Sequence, residues 1–141
     1  MLLPFRTDRP RIRPAYLTVT LIAVNVLVFI YGLLLPGLSA TVMVDGRRYA
    51  VEVPRLIWEH GLWGDRPTFQ AFFTHMFLHA GLLHLAGNML FLWIFGSLIE
   101  DALRRWGLMA LYLGGGVLAA LSHIGISAAM GHNLSVPMVG A

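Results

Sequence analysis

The stretch Leu82-Leu83-His84-Leu85-Ala86-Gly87-Asn88-Met89-Leu90-Phe91-Leu92-Trp93-Ile94-Phe95-Gly96-Ser97-Leu98-Ile99 contains no Asp, Glu, Lys or Arg and is closed by Glu100-Asp101. Its length is close to the roughly 20 apolar residues that a helix needs to cross a bilayer. His84 and Asn88 stand four residues apart, so on a helix of 3.6-residue period they point the same way. Hydrocarbon offers these groups no water, and each needs a partner or a purpose. Two donors aimed at one point inside a membrane suit the stabilisation of a developing negative charge.

The rest of the chain has the same character. Of its 141 residues 57% are hydrophobic and 12% charged, and the mean hydropathy is +0.72, which excludes an ordinary soluble domain of this size. Charge is absent from Pro14 to Val44, from Pro67 to Ile99 and from Trp106 to Ala141. The fold class expected is all-α: a polytopic membrane helical bundle. The sequence divides into a tail over 1–14, a first span over 15–35 and an outer loop over 36–81. A second span over 82–99, a third over 106–129 and an outer loop over 130–141 follow.

All ten basic residues are arginine, and the net charge of +3 resides in the tail, where Arg6, Arg9, Arg11 and Arg13 face only Asp8. A surplus of this kind suits anionic lipid or nucleic acid in general. Beside apolar spans it marks the cytoplasmic side, so the expectation is a multi-pass protein of the plasma (inner) membrane, N-terminus inside, with no nucleic-acid partner. Arg104 and Arg105 mark the next inner turn. Cysteine is absent, which excludes disulfides and thiolate chemistry.

Within the outer loop, the alternation about Asp45-Gly46 is a hairpin signal. Trp58, Trp63 and Phe69 fit an interfacial aromatic belt. Thr68 to Gly81 is too short to span and reads as an interfacial segment. Asn25, in mid-span, suits interhelical hydrogen bonding, and Gly114-Gly115-Gly116 mark the third span as the most closely packed. Glu100-Asp101 and Arg104-Arg105 read as a solvated helix cap with i,i+4 pairs.

Other chemistry finds less support. His75, His79 and His84 invite a metal or haem reading, but no carboxylate or cysteine stands near, and the His-Glu-x-x-His pattern is absent. Neither a metal nor a cofactor is expected. His79 reads as a loop anchor. No serine lies in Gly-x-Ser-x-Gly, and Ser97, Ser122 and Ser127 suit bonds to their own helix carbonyls.

Phe73-Thr74-His75-Met76-Phe77-Leu78-His79-Ala80-Gly81, His84-Leu85-Ala86-Gly87-Asn88, Gly96-Ser97-Leu98-Ile99-Glu100-Asp101 and Pro137-Met138-Val139-Gly140-Ala141 together resemble the rhomboid intramembrane serine proteases. The resemblance implies a six-helix core in which a serine opening the fourth helix attacks the peptide bond. A histidine on the sixth helix would be its base. His84 and Asn88 would be oxyanion-stabilising side chains, Gly140 would supply neighbouring backbone, and Glu100 would tie helix ends and loops. The Trp-Arg pair many members carry before Thr74 is replaced by Gln70-Ala71. The nucleophile would follow Ala141, so the 141 residues read as the first half of such a protein, with three of six spans and no activity alone. Transmembrane protein substrates and the lipid bilayer are the partners implied. The alternative is a non-catalytic rhomboid-like protein that binds membrane clients.

Overall fold

The computed structural model describes residues 14–44, 47–130 and 137–140. Helix α1 (Tyr16–Leu34) is built from Leu, Val and Ile and stops before Pro36-Gly37, a pair that cannot extend a helix. Strands β1 (Leu38–Val44) and β2 (Arg47–Val53) pair antiparallel, from Leu38 opposite Val53 to Val44 opposite Arg47. That register requires a two-residue connection; the Asp45-Gly46 turn itself lies outside the described residues. Short helices α2 (Arg55–His60) and α3 (Ala71–Thr74) follow, and a 3-10 turn over His75–Phe77 prolongs α3. The segment read as interfacial thus holds only short helical turns.

Helix α4 (Leu82–Phe91) passes through one wide π turn, Leu92–Gly96, into α5 (Ser97–Ala129). The run Leu82–Ala129 has 48 residues, roughly 72 Å if straight, more than twice the hydrocarbon thickness. It is not straight. Arg104 has φ 64° and ψ 172°, a conformation almost confined to glycine, and the helix breaks there. Leu92 and Gly115 line one small cavity, as do Phe95 and Leu111, and Ile99 and Leu108. On an unbroken helix Leu92 and Gly115 would stand roughly 35 Å apart, so the two arms fold back on each other at Arg104.

Two helical runs, Tyr16–Leu34 and Leu82–Ala129, are apolar and long enough to cross a membrane. Only 17% and 22% of their most apolar windows are buried by the chain itself, whereas an apolar helix in a soluble core would be mostly covered. Leu27, Leu33, Leu34 and Leu83 are among the large apolar side chains left exposed.

A carboxylate fastens α1 to α5. Gly96 and Glu100, one helical turn apart, both meet Thr18. A Cβ on Gly96 would lie 3.3 Å from Thr18 Cγ2, so glycine admits the close approach. Glu100 Oε1 accepts from the Leu17 N–H at 2.8 Å, while Oε2 accepts from the Thr18 N–H and hydroxyl, each at 2.8 Å. The first turn of α1 has no side-chain cap of its own, and Glu100 satisfies the amides it would leave orphaned. This corrects the solvated-cap reading: Glu100 is buried, and no ion pair joins it to Arg104 among the described residues.

The glycine triplet also differs from expectation. Added Cβ atoms at Gly114 and Gly115 would meet nothing within 4 Å, whereas one at Gly116 would overlap the Met76 side chain. Close packing is therefore confined to the Gly116 face. Asn25 bonds across helices as its position suggested: its Nδ2 donates to the Leu21 carbonyl at 2.8 Å and to Tyr112 Oη at 3.3 Å. Trp63 is buried and stacks edge-on with Trp58 at 5.0 Å, with the Arg66 guanidinium over both rings, while Phe69 is exposed.

Candidate functional site

His84 and Asn88 lie on one face of α4, as their spacing requires. A chain segment far off in sequence meets that face. Leu62 and Met138 exchange backbone hydrogen bonds of 3.2 and 2.9 Å, and Leu62 belongs to a small core with Ala71 and Ala120 against which Met138 packs. The Gly140 N–H then donates to the His75 carbonyl at 2.9 Å. Residues 137–140 are thereby pinned beside the start of α4.

Gly140 has φ +82°, the left-handed region open to glycine. A Cβ there would stand 2.6 Å from His84 Cε1, 2.8 Å from His84 Nε2 and 3.2 Å from Asn88 Nδ2. The position thus needs glycine twice, for its backbone conformation and for the space. All three residues singled out in the sequence meet at one corner, with His84 exposed, Asn88 half-buried and Gly140 buried. In one respect the geometry departs from the sequence reading. The Gly140 N–H is already donated to His75, so Gly140 contributes room and chain direction, not a free donor.

Two further histidines support this corner. His75 is fully buried; its Nδ1 lies 2.8 Å from the Ala71 carbonyl, and its own carbonyl holds Gly140. Burial lowers the His75 pKa below its ordinary value. His79 lies in the turn before α4, with Nε2 3.2 Å from Asn88 Nδ2 and its ring 5.3 Å from that of His84. Burial, and then the charge of His84, lower its pKa as well. Among the described residues, His75 Nε2 and His79 Nδ1 are buried without a hydrogen-bond partner. The sequence marked both residues but not their tasks, because nine positions and a change of element separate His79 from Asn88.

Asn88 and His79 also border a cavity of about 260 Å³ between the arms of the hairpin. His79 borders a second, about 570 Å³ and partly open, lined by the end of α1, α2 and residues 77–82. Chemically, the corner offers an imidazole and an amide to one small volume beside a glycine that blocks neither. That arrangement can hold an oxygen carrying negative charge.

The Rhomboid domain family matches residues 66–141, the part of the chain that contains this corner. The chloroplastic Rhomboid-like protein 11 of Arabidopsis thaliana is 42% identical over 60 residues, which are 43% of this chain and 21% of that protein. The chain thus matches about a fifth of the length of this curated relative. No solved structure matches it.

Proposed function

The chain belongs to the rhomboid family and is a membrane protein, and from that premise we propose that the full-length protein is an intramembrane serine endopeptidase. Its nucleophile and base would come from the sequence beyond Ala141. In this reading α1 and both arms of the α4–α5 hairpin cross the membrane, making three spans. The N-terminus and Arg104-Arg105 face the cytoplasm, and the plasma (inner) membrane is the compartment proposed.

The observation that carries the proposal is the convergence of His84 Nε2 and Asn88 Nδ2 on Gly140, a corner that admits no side chain. A serine oxygen adding to a peptide carbonyl turns its oxygen into an oxyanion. Donors fixed around that position bind it more tightly than the neutral carbonyl and so lower the barrier. Substrates would be transmembrane proteins cut near the outer end of a helix, where water is at hand. A spanning helix hides its carbonyls in hydrogen bonds, so the segment cut must first unwind, which helix-breaking residues ease.

The test is cleavage of a single-pass substrate by the full-length protein in proteoliposomes. His84→Ala and Asn88→Ala should each lower kcat about 100- to 1000-fold with melting temperature preserved. Full kcat with a reduced melting temperature would make these residues helix cross-links. No cleavage by the wild type would favour a client-binding role.

A further inference from the structure

We propose that His79 is a positioning residue, which orients the side-chain amide of Asn88 so that its NH2 group, and not its oxygen, faces Gly140. The proposal rests on the reading of His84 and Asn88 as oxyanion donors. A primary amide has two ends of nearly equal size and opposite electrostatic sense, and its surroundings decide which end points where. Asn88 Nδ2 faces two neighbours at once: His79 Nε2 at 3.2 Å, and the space beside Gly140 Cα, where a Cβ would stand 3.2 Å away. An N–H bond to Nε2 needs a lone pair there, so the His79 proton must sit on Nδ1.

A proton on Nε2 would set donor against donor. The amide would then turn over about its last bond and bring Oδ1 to the place of Nδ2. The same rotation would present a partly negative oxygen to the corner at Gly140, where negative charge is to be stabilised. The protonation state of His79 therefore decides whether Asn88 attracts or repels the oxyanion.

The surroundings favour the uncharged ring of His79, which keeps a lone pair on one of its nitrogens, and the bond from Asn88 asks that it be Nε2. His79 is 6% exposed, and burial disfavours the charged ring. His84 on α4 faces it ring to ring at 5.3 Å and adds to that preference. The other ionisable groups bordering the same cavities are Glu52 of β2 and Tyr112 of α5. A plain loop anchor would need no particular tautomer.

Two variants of the full-length protein separate the roles. His79→Gln retains an acceptor that does not titrate, and His79→Phe retains bulk without an acceptor. With a single-pass substrate, His79→Phe should lower kcat about 10- to 100-fold at nearly constant KM. His79→Gln should recover most of kcat at neutral pH and lack the acid decline expected of wild type. Unchanged kcat in His79→Phe, or equal impairment of both variants with lowered melting temperatures, would overturn the proposal. Nitrogen-15 spectra of the full-length protein give a readout that needs no activity. His79 should carry its proton on Nδ1, and a proton on Nε2 would overturn the proposal. Should wild type cleave nothing, the protease reading fails, and the spectrum alone still decides whether His79 holds Asn88 in this way.

Discussion

The two ends of the helical bundle treat their polar groups in opposite ways. At one end, both oxygens of Glu100 are filled by the Leu17 and Thr18 amides and the Thr18 hydroxyl, and the clamp joins segments 82 residues apart. At the other, His75 Nε2 and His79 Nδ1 are buried without a hydrogen-bond partner among the described residues, and His84 and Asn88 close on Gly140, where no side chain would fit. Saturated polar groups in an apolar setting hold structure together, because breaking any one leaves an expensive orphan. Groups with bonding capacity in reserve can offer it to a ligand or a transition state. The clamp should therefore govern stability, and the Gly140 corner should govern rate.

The sharpest way to break that comparison is Gly140→Ala in the full-length protein. The methyl group would collide with the His84 ring at a φ that alanine avoids, displacing the donor. A loss of about 100-fold or more in kcat is expected, since a misplaced catalytic group costs that much; a kinetic assay beside a melting curve checks it. Glu100→Ala should do the converse. Losing charge-assisted bonds to buried donors should lower the unfolding free energy by about 2–4 kcal/mol, with kcat per folded molecule nearly unchanged. Denaturation in detergent measures the first quantity and active-site titration the second.

A smaller contrast lies inside the glycine triplet. Gly116→Ala should cost about 1–3 kcal/mol through overlap with Met76, and Gly115→Ala less than about 0.5 kcal/mol. Equal costs would mean that both faces are packed in the full-length protein. The smallest effect expected is on pH dependence. His75 and His79 both bind protons less readily in the folded chain than their ordinary value near 6.5 implies. Their contribution to stability is then complete above that value and falls as pH drops below it, because the unfolded chain takes up protons first. Melting temperature should decline from about pH 6.5 to 5, and His75→Asn combined with His79→Gln should flatten the decline.

Much of this was legible in the sequence because it depends on period and polarity. The uncharged runs disclosed the helices, and the spacing of His84 and Asn88 put them on one face. The sequence around Asp45-Gly46 announced the hairpin that pairs Leu38 with Val53. The remainder depends on contacts between distant segments. The motif implied that Glu100 ties helix ends and loops, but no local pattern says that the helix it caps is the one beginning at Tyr16, and the neighbouring arginines looked like its partners. Nor does a run of three glycines reveal that, among the described residues, Gly116 alone would bring a Cβ against another chain segment. The Gly140 corner was partly legible through its motif. The hydrogen bond from Gly140 to the His75 carbonyl, which removes its N–H from the donor set, required the Leu62–Met138 pairing to be seen.

The most direct test is to trap the full-length protein with a phosphonylating serine reagent and determine the structure of the adduct. The phosphonyl oxygen stands in for the oxyanion. It should lie about 2.7–3.1 Å from His84 Nε2 and Asn88 Nδ2, beside Gly140. An adduct whose oxygen points away from both side chains, with His84 and Asn88 bonded only to neighbouring helices, would contradict the assignment of this corner to catalysis.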